Sequence, residues 1–323
     1  VLYVNFVPAS GNNRYEFKNI FNQLGKDRYT YRKGTDAQSD YEESAEYYYQ
    51  SRTTYSGQFT GKHTWSDTDK LDWSAGYSYA NRNMPDRRRY NTVRNTDTNQ
   101  LEVENLNEIN REFSRLNEHI LSANINYQHD FAFGDFTPTL KMGGYTEYRT
   151  REYNTRLFIY SWKNGLPSNY RVMNVPDELM QDKNYGEDKL YLLEQVDWRN
   201  NYEGNNMLGA GYAGVNLPFG KWNIYAGVRF EHSRMELISN TQKNEKSPTS
   251  VYYTYDDFFP SLNAAYRLNE QHQFRLSYGR TVNRPEFREV SSSVYYDFDL
   301  ASNVQGNYDL KAAYIDNIDL GYE

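Results

Sequence analysis

The sequence predicts an all-β protein: a transmembrane antiparallel up-and-down β-barrel to which this chain contributes about eleven strands. Two observations predict this class. Segments of about ten residues alternate between apolar and polar side chains, which is the period and length that a tilted membrane strand needs. Tight polar turns also alternate with long polar connections, the pattern of an outer-membrane barrel with short periplasmic turns and long extracellular loops.

The composition agrees with that class. Aromatic residues make up 17% of the chain and include 33 tyrosines, whose rings suit a membrane–water boundary. The mean hydropathy of -0.97 indicates no transmembrane helix, but it is compatible with barrel strands, in which only every second residue is apolar. The net charge of -7 argues against a nucleic-acid partner. With no cysteine and five dispersed histidines, no cofactor or metal site is predicted.

Five hairpins are predicted in chain order. The first joins residues 15–17 to residues 29–31 through a turn at 23–27. The second is the clearest, and it turns at 66–70. Its apolar alternates are Tyr55, Phe59, His63, Trp65, Leu71, Trp73, Ala75, Tyr77 and Tyr79. The other three turn near 134–135, at 218–221 and at 269–271, and a last strand descends to Glu323.

Long connections are expected between the hairpins, at residues 80–118, 150–206, 232–260 and 282–312. Loops of more than about 15 residues are uncommon in compact soluble domains but are expected outside an outer-membrane barrel. In the first of these connections, Leu106, Ile109, Phe113 and Leu116 recur at helical spacing. This spacing fits either a loop helix or a strand that continues beyond the membrane.

The predicted strand pattern also assigns side chains to faces. The apolar alternates are expected to face lipid, and the polar alternates a water-filled lumen. A charge on the lipid face would cost about 2 to 4 kcal/mol at the midplane for Arg or Lys. The charged residues expected to face the lumen are Arg229, Glu231, Arg267 and Arg275.

Two groups of loop residues are candidate ligand-binding residues. Arg87, Arg88 and Arg89 could bind an anionic ligand or the phosphates of lipopolysaccharide, because guanidinium groups bind phosphate in a bidentate manner. The alternative is a solvated loop. The aromatic pairs Tyr252-Tyr253 and Tyr295-Tyr296 would suit stacking on sugars or peptides, with packing between loops as the alternative.

The last fifty residues carry a family resemblance. The segments 275–289, 295–300, 306–311 and 314–323, together with 15–25 near the start, resemble the barrels of TonB-dependent receptors, particularly the Bacteroidetes type. The chain departs from the family pattern at Tyr308 and Ala312, where prolines are usual. The resemblance implies a 22-stranded barrel in the outer membrane of a Gram-negative bacterium, closed by an N-terminal plug that contacts TonB.

No plug and no TonB-contacting segment can be identified in the sequence, so residues 1–323 are expected to form part of a single barrel domain. An open sheet edge leaves backbone amides unpaired in lipid, and we therefore expect the chain to belong to a longer polypeptide.

The function that follows from the resemblance is that of a receptor without enzymatic activity. It would bind a scarce nutrient such as a siderophore, a glycan or a peptide and import it actively. The expected partners are outer-membrane lipid and lipopolysaccharide, the TonB complex through the plug, the small-molecule, glycan or peptide ligand, and a surface lipoprotein as a further candidate. Two alternatives stay open: a small passive barrel acting as a porin or adhesin, and a soluble carbohydrate-binding β-protein.

Overall fold

The computed structural model describes residues 1–35, 41–103, 106–172 and 178–323. These residues form sixteen strands and four short helical segments. The strands are β1 Leu2–Phe6, β2 Ala9–Ser10, β3 Asn13–Thr35, β4 Tyr41–Thr64, β5 Asp69–Arg94, β6 Leu101–Glu102, β7 Asn110–Asp130, β8 Thr139–Trp162, β9 Leu190–Glu194, β10 Tyr202–Phe219, β11 Trp222–Asn240, β12 Pro248–Arg267, β13 Gln273–Asn283, β14 Val294–Asp297, β15 Ser302–Gln305 and β16 Ala313–Tyr322. One α-helical turn, α1, covers Ser168–Arg171, and 3-10 turns cover Leu106–Glu108, Asp182–Asn184 and Trp198–Asn200.

None of the helices among the described residues has the length and apolar character needed to cross a bilayer.

A single antiparallel sheet organises the described chain. Its main path contains eleven strands in the order β1-β3-β4-β5-β7-β8-β10-β11-β12-β13-β16. Neighbours in this order are paired, and the order follows the sequence. Three short strands extend it, and β14 pairs only with β15 in a separate two-stranded sheet. The all-β, antiparallel, up-and-down architecture is confirmed, and the sheet is open between β1 and β16.

The short turns lie at one end of the sheet. Four of the five predicted turns are confirmed, at 65–68, 131–138, 220–221 and 268–272. An additional short turn, before β3, contains Gly11. At three of the short turns the backbone has positive φ, a conformation that glycine adopts without steric cost: 56° at Gly11, 65° at Gly134 and 54° at Gly220.

The predicted turn at Gln23 to Asp27 is wrong. These residues lie inside β3, which pairs without interruption with β4. The segment contains a glycine, but its backbone is that of an ordinary strand. A Cβ atom on Gly25 would lie 3.4 Å from the hydroxyl oxygen of Tyr49 in β4, an ordinary contact distance, so neither a turn nor packing requires glycine here.

The predicted long connections are too long in three of four cases. Strand β5 ends at residue 94 and β7 begins at residue 110. Strand β8 ends at 162 and β10 begins at 202, and only residues 241–247 lie between β11 and β12. Phe113 and Leu116 belong to β7, so the continuing strand is the correct alternative there, and only Leu106–Glu108 is helical. Beyond the apolar band both faces of a strand carry polar residues, so a period of two no longer reveals it.

The register divides the sheet into two faces across all strands. We call the face that carries Arg52, Arg82 and Glu231 the charged face, and the face that carries Ile125 and Val228 the apolar face. On the apolar face, Ile125 is 52% exposed and Val228 is 46% exposed. A row of exposed aliphatic and aromatic side chains on one face of an antiparallel sheet matches a surface that meets lipid.

Candidate functional site

The most extensive tertiary feature is a segment that folds across the charged face. Residues 284–312, here the cap segment, leave β13 and return to β16, and they contain the β14–β15 hairpin. One end of the cap segment contacts β10, β11 and β12. Its other end contacts β3 and β5, so it bridges strands that are far apart in the sheet.

Arg284 anchors the first end of the cap segment. Its Nη1 lies 2.7 Å from Oε2 of Glu231, and its Nη2 lies 2.8 Å from Oδ2 of Asp257. Tyr314 donates to the other oxygen of Asp257 at 2.6 Å, and Arg229 donates to Glu231 at 2.7 Å. Because each carboxylate has more than one donor, this end is held by a network of charge-assisted hydrogen bonds.

Phe287 provides an apolar anchor beside this network. Its side chain is 1% exposed and packs with Tyr153, Tyr202, Met235, Leu237 and Val290. Gly204 of β10 lies directly under the ring, and a Cβ atom there would overlap the ring carbons. The missing side chain at Gly204 therefore creates the seat for Phe287.

Three buried serines follow Phe287 in the cap segment, and two of them attach it to residues 199 and 200. Ser292 donates to the carbonyl oxygen of Arg199 at 2.9 Å, and Ser293 donates to the carbonyl oxygen of Asn200 at 3.1 Å. The side-chain oxygen of Asn200 accepts from the backbone amide of Val294 at 2.9 Å. Ser291 is also buried, and its hydroxyl donates to the carbonyl oxygen of Arg288 at 3.1 Å. All three hydroxyls are thus used in packing.

A buried ion cluster receives the far end of the cap segment. Arg87 Nε donates to Glu46 at 2.6 Å, and its Nη1 donates to Glu112 at 3.2 Å and to the carbonyl oxygen of Tyr296 at 3.1 Å. Glu46 is fully buried and also accepts from Arg28 at 2.7 Å, while Arg28 reaches Asp299 of the cap segment at 3.2 Å.

The three consecutive arginines do not form one site. Arg87 and Arg89 point to the charged face, where Arg89 lies 4.5 Å from the centre of the Tyr296 ring. Burial lowers the pKa of Arg89. Arg88 points the other way, is exposed, and donates to Asp86 at 2.7 Å.

Asp86 is shared between two arginines outside the apolar band. Arg111 donates to both of its oxygens, at 2.9 and 2.7 Å, in a bidentate arrangement, and Arg88 adds a third bond. Burial raises the pKa of Asp86, but the hydrogen bonds and charges of Arg111 and Arg88 outweigh burial and leave the pKa below its ordinary value.

The four predicted tyrosines have different surroundings. Tyr252 lies on the side of the apolar face and donates to Glu236 at 2.8 Å. Tyr253 lies on the charged face and donates to the carbonyl oxygen of Tyr308 in the cap segment at 3.0 Å. Tyr295 and Tyr296 belong to β14, and Arg288 lies 3.6 Å from the centre of the Tyr295 ring. The structure thus brings Tyr295 and Tyr296 together with Arg87 and Arg89, and separates Tyr252 from them.

The four charged residues predicted for the lumen share one face. In the register Glu231 lies opposite Asp257, Ala265 lies opposite Arg275, and Arg267 lies opposite Gln273. Arg229 and Glu231 belong to the anchor around Arg284, whereas Arg275 lies near the short-turn end, 2.9 Å from Glu323. Their orientation toward a lumen stays a prediction.

Several residues of this region were not predicted: Glu46, Glu112, Arg284 and Phe287. The first two occupy polar positions of strands that had been interpreted as loops or left unassigned. No apolar alternation runs through 42–50 or 110–118, so a period-two count does not find them. Three of the cavities border the cap segment. One, of about 770 Å³, is bordered by Arg32, Arg89 and Phe298, another, of about 250 Å³, lies among basic residues of β3, β4 and β5, and a third, of about 230 Å³, lies beside Phe287.

Comparison with known proteins identifies the family. The model of the outer membrane protein beta-barrel family matches residues 63–323. The chain belongs to this family. Membership confirms the predicted barrel fold and its location in the outer membrane of a Gram-negative bacterium, and it is incompatible with the soluble carbohydrate-binding alternative. The Bacteroidetes type stays a prediction. A search of the curated proteins gave no match.

Solved receptors share the fold of this barrel chain. The siderophore receptor PiuA from Acinetobacter baumannii is similar over 86% of this chain and 44% of its own, with 11% identity and a TM-score of 0.50. BauA, the ferric preacinetobactin receptor of the same organism, is similar over 99% of this chain and 51% of its own chain, with 9% identity and a TM-score of 0.48. The ferric yersiniabactin uptake receptor FyuA from Yersinia pestis is similar over 99% of this chain and 46% of its own chain, with 12% identity and a TM-score of 0.47. The chain spans about half the length of these receptors.

Proposed function

We propose that this chain is part of the barrel domain of an outer-membrane receptor that binds a scarce nutrient and imports it actively. In this proposal the charged face lines a water-filled lumen and the apolar face meets lipid. The short turns lie in the periplasm, and the ends of β5, β8 and β11 extend outside the cell. The ligand would be a siderophore, glycan, peptide or similar molecule, and the energy would come from the TonB complex acting on a plug.

The cap segment is the observation that carries the proposal. Free passive diffusion needs an open lumen, whereas here residues 284–312 lie across the charged face and are held by a partly buried ion network at one end and a buried one at the other. A barrel restricted in this way favours selective capture over free diffusion. The similarity in fold to receptors that take up ferric siderophores supports the same conclusion by analogy.

The proposal is tested by uptake in the native host. A strain lacking the gene is compared with the complemented strain in media limited in turn for iron supplied as a ferric siderophore, for glycan and for peptide. We expect the deletion to abolish uptake of one labelled nutrient, and a protonophore or deletion of TonB to abolish the same uptake in the complemented strain. Uptake that continues at full rate without TonB and without a proton gradient would contradict active import and favour the passive porin.

A further inference from the structure

Two arginines face each other across neighbouring strands without an acidic partner. In the register Arg52 of β4 lies directly opposite Arg82 of β5, on the charged face. Residues in such positions have Cβ atoms about 4.5 to 5.5 Å apart, and like charges there destabilise a sheet. An arrangement that opposes the folding of the sheet points to a role other than stability.

The region around this pair contains more positive than negative charge. The cavity of about 250 Å³ beside it is bordered by six basic side chains, Lys26, Arg28, Arg52, Arg82, Arg87 and Arg288, and by three acidic ones, Glu112, Asp297 and Asp299.

The three acidic groups are already engaged elsewhere. Glu112 pairs with Arg87, Asp299 pairs with Arg28, and Asp297 accepts two backbone amides of its own turn at 3.0 Å each. Of the basic groups, Lys26, Arg52, Arg82 and Arg288 form no ion pair with any described residue.

The neutral contacts of these cations leave hydrogen-bond capacity unused. Arg82 lies 5.6 Å from the centre of the Tyr153 ring, and its buried Nε atom has no hydrogen-bond partner among the described residues. Arg52 donates to the amide oxygen of Gln50 at 2.5 and 3.1 Å when that amide takes the orientation its neighbours favour. Arg288 stacks on Tyr295. A guanidinium carries five N–H donors, so each of the three arginines retains free donors.

We infer that Arg52, Arg82 and Arg288 form a binding site for the oxyanion group of a soluble ligand, a carboxylate or phosphate, beneath the cap segment. The inference rests on the proposed function, since it names the chemical class of the captured nutrient. The cavity is smaller than the about 300 Å³ at which small-molecule pockets begin. It therefore admits the anionic group of a ligand, with the rest of that molecule extending into the space beside the cap segment.

The site differs from the predicted cluster at Arg87, Arg88 and Arg89. There the guanidinium groups on the charged face are neutralised by Glu46 and Glu112, and Arg88 points to the other face. The free positive charge lies instead two rows closer to the short turns. Because the site lies on the charged face, a dissolved anion reaches it and the headgroups of surrounding lipid do not.

The test uses the complete polypeptide purified in detergent micelles, with citrate and inorganic phosphate as probes in separate calorimetric titrations at low ionic strength. We expect wild-type protein to bind citrate, Arg52→Gln and Arg82→Gln each to weaken binding at least tenfold, and the double variant to abolish it. Arg234→Gln is the matched control, because Arg234 lies on the other face of the sheet, 4.8 Å from the centre of the Tyr252 ring, and its loss should leave binding unchanged.

Thermal unfolding without citrate separates binding from a structural role. Removing one of two repelling charges should leave the midpoint of Arg52→Gln equal to or above that of wild type. Citrate should raise the wild-type midpoint more than those of the single variants and should leave the midpoint of the double variant unchanged. Absence of citrate and phosphate binding by wild type, or equal binding by the arginine variants, would overturn the inference. This result is independent of transport, because a receptor that imports a neutral nutrient would fail here and still show TonB-dependent uptake.

Discussion

Neighbouring arginines in this protein have opposite structural roles because the strand alternates. Arg87 is buried between two glutamates and the cap segment, and its neighbour Arg88 forms an exposed ion pair with Asp86. Burial decides the energetic consequence. Removing one partner of a buried ion network leaves an uncompensated charge, whereas an exposed pair contributes little.

Arg87→Gln should therefore destabilise the folded barrel by about 3 to 5 kcal/mol, because the buried Glu46 and Glu112 would lose the guanidinium they share and keep only Arg28 and the more distant Arg89 as partners. Arg88→Gln should cost less than about 1 kcal/mol. The free energy of unfolding of both variants is measured in micelles by titration with guanidinium chloride, followed by tryptophan fluorescence. Equal midpoints for the two variants would show that the buried cluster does not stabilise the fold.

Asp86 should give this outer region a pH dependence. Its pKa is lowered in the folded state, so its stabilisation is complete above its ordinary value of 3.8 and is lost as the pH falls through the lower folded value. Wild type should be more stable than Asp86→Asn at pH 7, and the gap should close below about pH 4. Thermal midpoints of both proteins between pH 7 and pH 3 test this, and a gap that stays constant would contradict it.

At the scale of elements, the attachment of the cap segment depends on one glycine in a strand. Gly204→Ala would place a Cβ atom in overlap with the ring carbons of the buried Phe287, so the ring would have to leave its seat. Gly209 of the same strand has no atom within 4 Å of a Cβ position and provides the matched control.

We expect Gly204→Ala to displace the cap segment and expose its arginines, so that limited trypsin digestion cuts within 284–312 several times faster than in wild type. Gly209→Ala should be cut at the wild-type rate. Identical digestion of the two variants would mean that Phe287 does not hold the segment.

The hairpins could be predicted from the sequence wherever one face of the strand is apolar. Leu121, Ala123 and Ile125 alternate with Ser122 and Asn124, and the turn that follows at Gly134 was placed correctly. Glycine was ambiguous, because Gly134 occupies a turn with positive φ whereas Gly25 lies inside a strand. The sequence around each glycine does not distinguish these two uses.

The candidate site could be predicted only in part, because its contacts join distant parts of the chain. Arg87 and Tyr296 were both singled out, and they are 209 positions apart and in contact. Their pairing depends on the path of the cap segment, which no local pattern encodes. The opposed pair of Arg52 and Arg82 follows the register of the correctly predicted second hairpin, but that hairpin was predicted only between Tyr55 and Tyr79, three residues short of the pair on each strand.

At the scale of the whole molecule, one face of the sheet contacts lipid and the other contacts water in this account. The apolar face carries exposed aliphatic residues between two aromatic zones, and the zone near the short turns includes Trp222 beside Tyr266 at 4.7 Å and Phe274 beside Tyr322 at 5.1 Å. Aromatic girdles at both interfaces are typical of outer-membrane barrels. The family membership and the surface pattern therefore agree on which face meets lipid.

An arginine introduced near the middle of the apolar band should destabilise the barrel more on the apolar face than on the charged face. Ile125→Arg should destabilise the barrel in lipid by about 2 to 4 kcal/mol, because residue 125 lies on the apolar face about five residues from the short turn. Asn124→Arg should cost only about 1 kcal/mol, the value of its hydrogen bond to Ser74. Urea unfolding in phospholipid vesicles measures both, and equal costs would indicate that the two faces share one solvent.

The central claim, that the apolar face meets lipid and the charged face meets water, is tested most directly by cysteine accessibility. The chain contains no cysteine, so single cysteines can be placed in turn at positions 121 to 128 of β7 and labelled in intact outer membranes. A water-soluble maleimide should label positions 122, 124, 126 and 128, and a lipid-dissolved quencher should reach a fluorophore at 121, 123, 125 and 127. Labelling that does not alternate from one residue to the next would contradict this account.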